Sequence, residues 1–202
     1  MNPERKIALL ILAAGASKRM KAVKQLLPWK NTTLLGNAIE KGIASDVDQV
    51  FVVLGANYEN IKESITHFPV EIIRNDDWKS GMSTSIVNGI THIMNQPDDY
   101  DAIMVGLADT PLLDVDHFNA LIETSANSLK NIIATKCDDV IGVPAIFPDN
   151  YFKVLKELKG DQGARKIIKL NKEQVTSINA GEKCKDIDTP EAYKKIIKTI
   201  NR

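Results

Sequence analysis

An α/β fold, with a mostly parallel sheet layered between helices, is what this chain of 202 residues predicts, on three observations. Strand-like and helix-like periodicities alternate from end to end, the pattern of a parallel sheet covered by helices on both faces. The apolar runs Ile7–Leu12 and Ala102–Leu107 lack polar alternation, as strands buried on both faces do. Each run stops at small or acidic residues, at the strand end where open α/β sheets bind ligands.

The first strand, Ile7–Leu12, passes through Ala13 to Ser17 into a basic segment carrying Lys18, Arg19, Lys21 and Lys24. Leu34, Leu35, Ala38, Ile39 and Ile43 then keep helical spacing. Gln49–Leu54 is a β-branched run ending at Gly55, and Asn57 is placed to cap a helix through about Ile65. Residues 70–73 form a short strand, and Ile86, Val87, Ile90, Ile93 and Met94 mark one face of a helix starting near Ser83. After Ala102–Leu107, Asp114 caps a helix to about Ser125. Residues 131–135 and 143–147 read as strands, followed by helices near 149–158 and 163–170. A last strand near 175–178 and 186–188 leads into a helix with Thr189 as N-cap, Pro190 first and Glu191 in its first turn. The late strands lack a helix between each pair, so one antiparallel member is expected. Right-handed crossovers bring residues 13–24 and Asp109 to the same sheet edge.

No repeat, low-complexity tract or Pro/Gly-rich linker divides the chain, and its length suits one domain over residues 1–202. Lys and Arg number 26 and Asp and Glu also 26, so there is no electrostatic case for nucleic acid or an anionic membrane. The apolar runs are strand-sized, short of the ~20 residues a membrane span needs. Residues 1–6 run straight into the first strand, leaving no room for a signal peptide, and a cytoplasmic location is expected. Cys137 and Cys184 make no C-x-x-C pair, so reduced thiols are expected rather than a zinc site or a disulfide framework. His67, His92 and His117 share no metal-ligand spacing and read as surface histidines. Trp29 and Trp78 read as core, although either would serve as a wall for a flat ring.

The most informative stretch runs from Leu10 to Pro28. Its small residues let backbone N–H groups approach an anion, and the cations that follow can neutralise it. Gly15 alone does not make G-x-G-x-x-G, and no G-x-x-x-x-G-K-[ST] occurs. A strand-to-helix turn with a solvated charge run and a triphosphate cradle fit these residues equally well. Asp109, at the end of a buried strand, reads either as a turn residue or as a ligand for Mg²⁺, which takes one or two carboxylates plus phosphate oxygens and water. Asp186 and Asp188 share one face of extended chain, with Ile187 turned toward the core. Gly81-Met82-Ser83-Thr84-Ser85 and Gly160-Asp161-Gln162-Gly163-Ala164-Arg165 each read as a helix start with capping side chains.

Together these segments resemble the MobA-like nucleotidyltransferases, closest to the molybdenum cofactor cytidylyltransferases. Leu12, Ala13, Ala14, Gly15, Ser17, Arg19, Met20, Lys24, Leu26, Leu27 and Pro28 match the signature L-A-A-G-x-S-x-R-M-G-x-x-K-x-L-L-P. Lys21 stands where the family has glycine, which suggests a less strained turn or a phosphate contact through its side chain. Leu107-Ala108-Asp109-Thr110-Pro111, Asp186-Ile187-Asp188-Thr189-Pro190 and the two helix starts are similar to further family elements, in the same order. Val143 stands where cofactor-specific relatives often carry histidine.

The resemblance implies a three-layer Rossmann-like fold of the nucleotide-diphospho-sugar transferase type. It implies Mg²⁺-dependent transfer from CTP to a phosphorylated acceptor, molybdopterin or its molybdenum-loaded form, with release of pyrophosphate. On the same grounds Lys24, Arg19 and Asp109 are the expected catalytic residues, and Asp109 and Asp188 the expected metal ligands. Leu12, Ala13, Ala14, Gly15, Ser17, Ser83, Ser85 and Asp109 would contact the nucleotide, and Asp161 and Arg165 the acceptor. Ala14, similar to the cytidine-using branch, leaves less room than glycine beside a purine. A molybdenum enzyme or its chaperone is the implied partner. Two alternatives stand beside this reading. One is a cytidylyltransferase for a sugar or polyol phosphate. The other is a non-catalytic cofactor-binding or delivery protein, kept open by Lys21 and Val143 and opposed by intact Asp109, Asp188, Arg19 and Lys24.

Overall fold

The computed structural model describes residues 5–200; the signal-peptide expectation rests partly on residues 1–4, which lie outside them. In chain order the strands are β1 (Ile7–Leu12), the short pair β2 (Pro28–Trp29) and β3 (Thr32–Thr33), β4 (Gln49–Leu54), β5 (Glu71–Arg74), β6 (Ala102–Leu107), β7 (Ile132–Cys137), β8 (Val140–Pro148) and β9 (Val175–Asn179). The helices are α1 (Leu34–Ala44), α2 (Tyr58–Ile65), α3 (Met82–Met94), α4 (Val115–Ala126), α5 (Phe152–Lys156), α6 (Arg165–Leu170) and α7 (Pro190–Ile200). Seven strands form one sheet in the order β5-β4-β1-β6-β8-β7-β9. Every pairing in it is parallel except those of β8, which runs antiparallel to β6 and β7 and is the expected antiparallel member.

β1 lies inside the sheet, between β4 and β6, because it has nothing polar to expose: Ile7 through Ile11 are all at most 2% exposed. Its side chains alternate between the two helical layers. Leu10 packs in a cluster with Ile86, Ile90 and Ile93 of α3 and with residues of α5 and α6. Leu9 and Ile11 pack with Leu35 and Ile39 of α1, Ile61 and Ile65 of α2, and Phe118 and Leu121 of α4. The helices press close: a Cβ at Gly42 of α1 would lie 2.5 Å from Leu9 Cδ2, and one at Gly89 of α3 2.6 Å from Leu10 Cδ1. A side chain at either glycine would lift a helix from the strand whose end carries the basic loop.

A third, smaller cluster of Met20, Trp29, Leu34, Ile187 and Ile196 joins that loop to α7. Trp29, 1% exposed, is core as expected. The Tyr193 hydroxyl donates to Pro28 O at 2.6 Å, a second tie between α7 and the loop. Two helices start at the expected caps, Asp114 accepting from His117 N–H and Thr189 from Ala192 N–H, whereas α3 and α6 start at Gly81 and Ala164 without the expected side-chain cap bond. Asn57 differs, taking a left-handed conformation (φ 56°) without a side-chain cap bond.

Several expectations are corrected. Residues 149–158 are a 3-10 turn, Asp149–Tyr151, followed by the short α5, and residues 186–188 form no strand and lie outside the sheet. Cys137 and Cys184 are joined by a disulfide rather than reduced. Motif spacing sees only local pairs, whereas β9 runs parallel to β7 and Ala180 N–H bonds Lys136 O, which brings the turn Gly181–Cys184 beside Cys137. His117 is not a surface residue. It is 6% exposed, its Nε2 lies 2.9 Å from Thr135 Oγ1, and burial outweighs nearby Asp114 to push its pKa below the usual histidine value. His92 is half-buried, bonded to Glu71 and Gln96. Among the described residues no helix is long and apolar enough to cross a membrane.

Candidate active site

The loop after β1 is shaped by its main chain. Ala13 N–H donates to Val53 O at 2.9 Å, and Ala14 O accepts from Ala56 N–H at 2.9 Å, so the loop leaves the sheet pinned to the end of β4. Gln25, 5% exposed, sits on its inner side. Its Nε2 donates to Ala13 O at 2.7 Å and Gly15 O at 2.8 Å, and Ser17 Oγ lies 3.5 Å from its Oε1. Carbonyl oxygens that would repel a phosphate are thereby occupied by an amide. Ser17 (φ 52°) and Lys21 (φ 55°) are both left-handed and bracket the turn Lys18–Met20. Lys21 therefore does not relax the turn: it holds the conformation that a glycine takes without strain. Its side chain is exposed and absent from the cavity lining.

The two carboxylates arrive from opposite directions. Asp109 follows the end of β6, and Asp188 rides on the irregular segment before α7. Ile187 anchors that segment, with its side chain fully buried and its N–H donating to Asp109 O at 2.8 Å. Lys24 Nζ bridges the pair, 2.9 Å from Asp109 Oδ2 and 3.0 Å from Asp188 Oδ1, while Arg19 Nη2 lies 2.9 Å from Asp188 Oδ2. Burial acts to lower the Lys24 pKa, but the charges and hydrogen bonds of Asp109 and Asp188 outweigh it and hold it above the usual lysine value. For Asp188 burial acts upward, and Lys24 followed by Arg19 overrides it, leaving the carboxyl below the usual range. Behind Asp109, Lys41 Nζ and Asn37 Nδ2 both donate to Pro111 O. Burial, then the charge of Lys30, brings the Lys41 pKa down to about 8.

An open cavity of about 630 Å³ lies over these groups. Such a volume is in the range of small-molecule sites. Leu12, Ala13, Ala14, Gly15, Ser17, Arg19, Lys24, Asp109 and Asp188 all line it. Ser85 and Asp161 line it too, whereas Ser83 and Arg165 do not. Ser83 is 2% exposed beneath the 160s loop, its N–H donating to Gly160 O at 3.1 Å. The contact is so close that a Cβ at Gly81 (φ 113°) would sit 2.3 Å from Gly160 C, and this joins the two glycine-containing segments into one wall. Trp78 and Met82 complete that wall, so Trp78 has a face on the cavity as well as on the core. Gln25 carries no signal in the sequence, because it occupies an unspecified position between Lys24 and Leu26 and reads as one more polar residue of the basic segment.

Among the described residues no group of three or more His, Cys, Asp or Glu is gathered as a metal site. A pair of carboxylates is nevertheless what Mg²⁺ takes from a protein when phosphates and water supply its other ligands. Asp109 Oδ1, buried and without a hydrogen-bond partner, is an acceptor of the right chemistry within that pair. The residues present therefore fit such an ion.

Residues 9–177 match the MobA-like NTP transferase domain family. Among curated proteins, the chain is 28% identical over 194 residues to the purine catabolism protein PucB of Bacillus subtilis (strain 168), covering 91% of this chain and 92% of that one. It is 27% identical over 202 residues to the nicotine blue oxidoreductase of Paenarthrobacter nicotinovorans, covering 93% and 95%. Among solved structures, a homologue of Mycobacterium tuberculosis Rv0371c from Mycobacterium sp. strain JC1 superposes with a TM-score of 0.84 at 27% identity, covering 97% of each chain.

Proposed function

Because this chain belongs to the MobA-like NTP transferase family, whose general chemistry is nucleotidyl transfer, we propose that it transfers the cytidylyl group of CTP to a molybdopterin-type phosphate with release of pyrophosphate. The observation that carries the reading is the Asp109–Lys24–Asp188 bridge, set under a loop of small residues at the rim of the cavity. A phosphate monoester has its second pKa at about 6 and is mostly dianionic near neutrality, so the acceptor needs no general base. What the reaction does need is alignment of two polyanions and neutralisation of charge. Lys24 and Arg19 line the cavity and offset charge on the triphosphate and the departing pyrophosphate. Main-chain groups from Ala14 to Ser17 hold the phosphate chain, with Gly15 O and the preceding Ala13 O tied back by Gln25. Asp109 and Asp188 would hold Mg²⁺, which when bound supplies charge neutralisation at the α-phosphate.

Ala14, 5% exposed, puts a methyl where glycine would leave space beside a purine, which supports CTP. Asp161 lines the cavity and on this reading would meet the acceptor. On this reading the protein acts in the cytoplasm and passes its product to a molybdenum enzyme or its chaperone. The name of the Paenarthrobacter relative describes a redox reaction, but the loop after β1 carries the single Gly15 and no dinucleotide fingerprint. The test is pyrophosphate release with Mg²⁺ and molybdopterin, with CTP, GTP, ATP and UTP in parallel. Release with CTP alone is expected. Release only when a sugar or polyol phosphate replaces molybdopterin would move the acceptor, and silence with every pair would overturn the reading.

A further inference from the structure

We infer that Lys24 is a counter-ion latch, which keeps a divalent cation off the carboxylate pair until a triphosphate arrives; this rests on the nucleotidyl-transfer reading of the site. Lys24 Nζ holds Asp109 Oδ2 and Asp188 Oδ1, and Arg19 Nη2 holds Asp188 Oδ2. Of the four oxygens of the pair, only Asp109 Oδ1 is without a hydrogen-bond partner, and it is buried. The formal charges of the two carboxylates, the ammonium and the guanidinium cancel.

A bare dication therefore meets a neutral site whose ligand oxygens are already bonded. Mg²⁺ gives up its water reluctantly, and one buried oxygen is poor compensation. A triphosphate changes the balance, because its oxygens offer Lys24 and Arg19 new anionic partners. Lys24 is suited to the exchange: its side chain is 18% exposed, so its ion pairs are less screened than surface pairs, and its ammonium ends a flexible stem at the cavity wall. As the ammonium moves to phosphate, the carboxylates open to the cation that the triphosphate brings. Cation and triphosphate binding are then positively coupled through one side chain with two alternative sets of partners, and the coupling is reciprocal.

Mn²⁺ is the probe, its binding read by electron paramagnetic resonance, and tripolyphosphate serves as a triphosphate without a base. Wild-type protein binds Mn²⁺ weakly alone and more tightly with tripolyphosphate. Lys24→Met, which keeps the stem and deletes the charge, tightens Mn²⁺ binding in the absence of triphosphate by about tenfold, a size ordinary for coupled sites, and loses the dependence on tripolyphosphate. Lys24→Arg, which restores a cation, returns binding toward the wild-type pattern. Wild-type binding of Mn²⁺ that is equally tight with and without tripolyphosphate overturns the latch, as does a folded Lys24→Met no tighter than wild type. If pyrophosphate release from CTP persists in that case, the nucleotidyl-transfer reading survives. Absence of Mn²⁺ binding under every condition in all three proteins removes both.

Discussion

The N–H of Ile187 donates to the carbonyl oxygen of Asp109 across 2.8 Å, and this main-chain bond sets the register of two carboxylates from distant parts of the chain. Ile187 is itself fully buried against Met20, Trp29 and Ile196, so the segment bearing Asp188 is held by packing as well as by the bond. The basic loop, the end of β6 and the start of α7 thereby meet at one cavity.

Asp109→Asn keeps the main-chain bond to Ile187 and removes one charge. Turnover should fall by about 10²–10³, the size of losing one preorganised electrostatic group, with the melting temperature little changed. Lys24→Ala should likewise keep the fold and lose most turnover. Pyrophosphate release and thermal melts on the same samples check this, and normal turnover in both variants sinks the site assignment.

Gln25→Leu leaves Ala13 O and Gly15 O without their amide partner. The lost partner of the buried Ala13 O costs about 1–3 kcal/mol, while Gly15 is exposed and its carbonyl can turn to water, so denaturant melts should show a clear loss of stability set mainly by Ala13. The nucleotide KM should rise more than kcat falls, because the loop binds phosphate rather than reacting.

Lys21→Gly relieves a left-handed lysine at φ 55°. Relief of about 1–2 kcal/mol is partly offset by glycine's greater freedom when unfolded, roughly 0.5–1 kcal/mol. A small net gain in denaturant midpoint is expected, with turnover unchanged. A large loss of turnover would instead place the Lys21 side chain on phosphate.

The Cys137–Cys184 bond closes a loop with a sequence separation of 47. Its reduction, or Cys184→Ser, should cost about 2–4 kcal/mol. Melts of wild-type protein should shift on adding reductant, whereas Cys184→Ser should not respond. Cys184 lies just before the segment that carries Asp188, so nucleotide KM is the second quantity to follow.

Lys41 gives a pH signature. Its pKa is about 8 in the fold and 10.5 ordinarily, so between these values the unfolded chain holds the extra proton and stability rises with pH. Below pH 8 that contribution is gone. Lys24 has the opposite sign: its raised pKa gives stability fully present below 10.5 and lost only above it, outside this window. Melts between pH 8 and 10.5 should show the rise in wild-type protein and its absence in Lys41→Met.

Much of the architecture was legible because it is written in local periodicity. Ile7–Leu12 and Ala102–Leu107 have no polar face, so they form interior strands wherever the chain around them goes. Asp114 and Thr189 announce their helices because capping needs only a neighbour three residues on. The same locality explains the failures. Asn57 has the composition of a cap but sits in a left-handed turn, and His117 looks polar in sequence yet is buried beside Thr135.

By itself the sequence determined the layered α/β fold, the strand that carries the basic loop, and the segments that converge on the sheet edge, since hydrophobic pattern and strand order dictate them. Only the tertiary structure decided that one lysine bridges Asp109 and Asp188, that Gln25 ties back the loop carbonyls, that Ser83 is buried while Ser85 lines the cavity, and that Cys137 meets Cys184. Those facts depend on distances of a few ångströms between groups far apart in sequence, which are set by how β6, β9 and α7 pack rather than by any residue's neighbours in the chain.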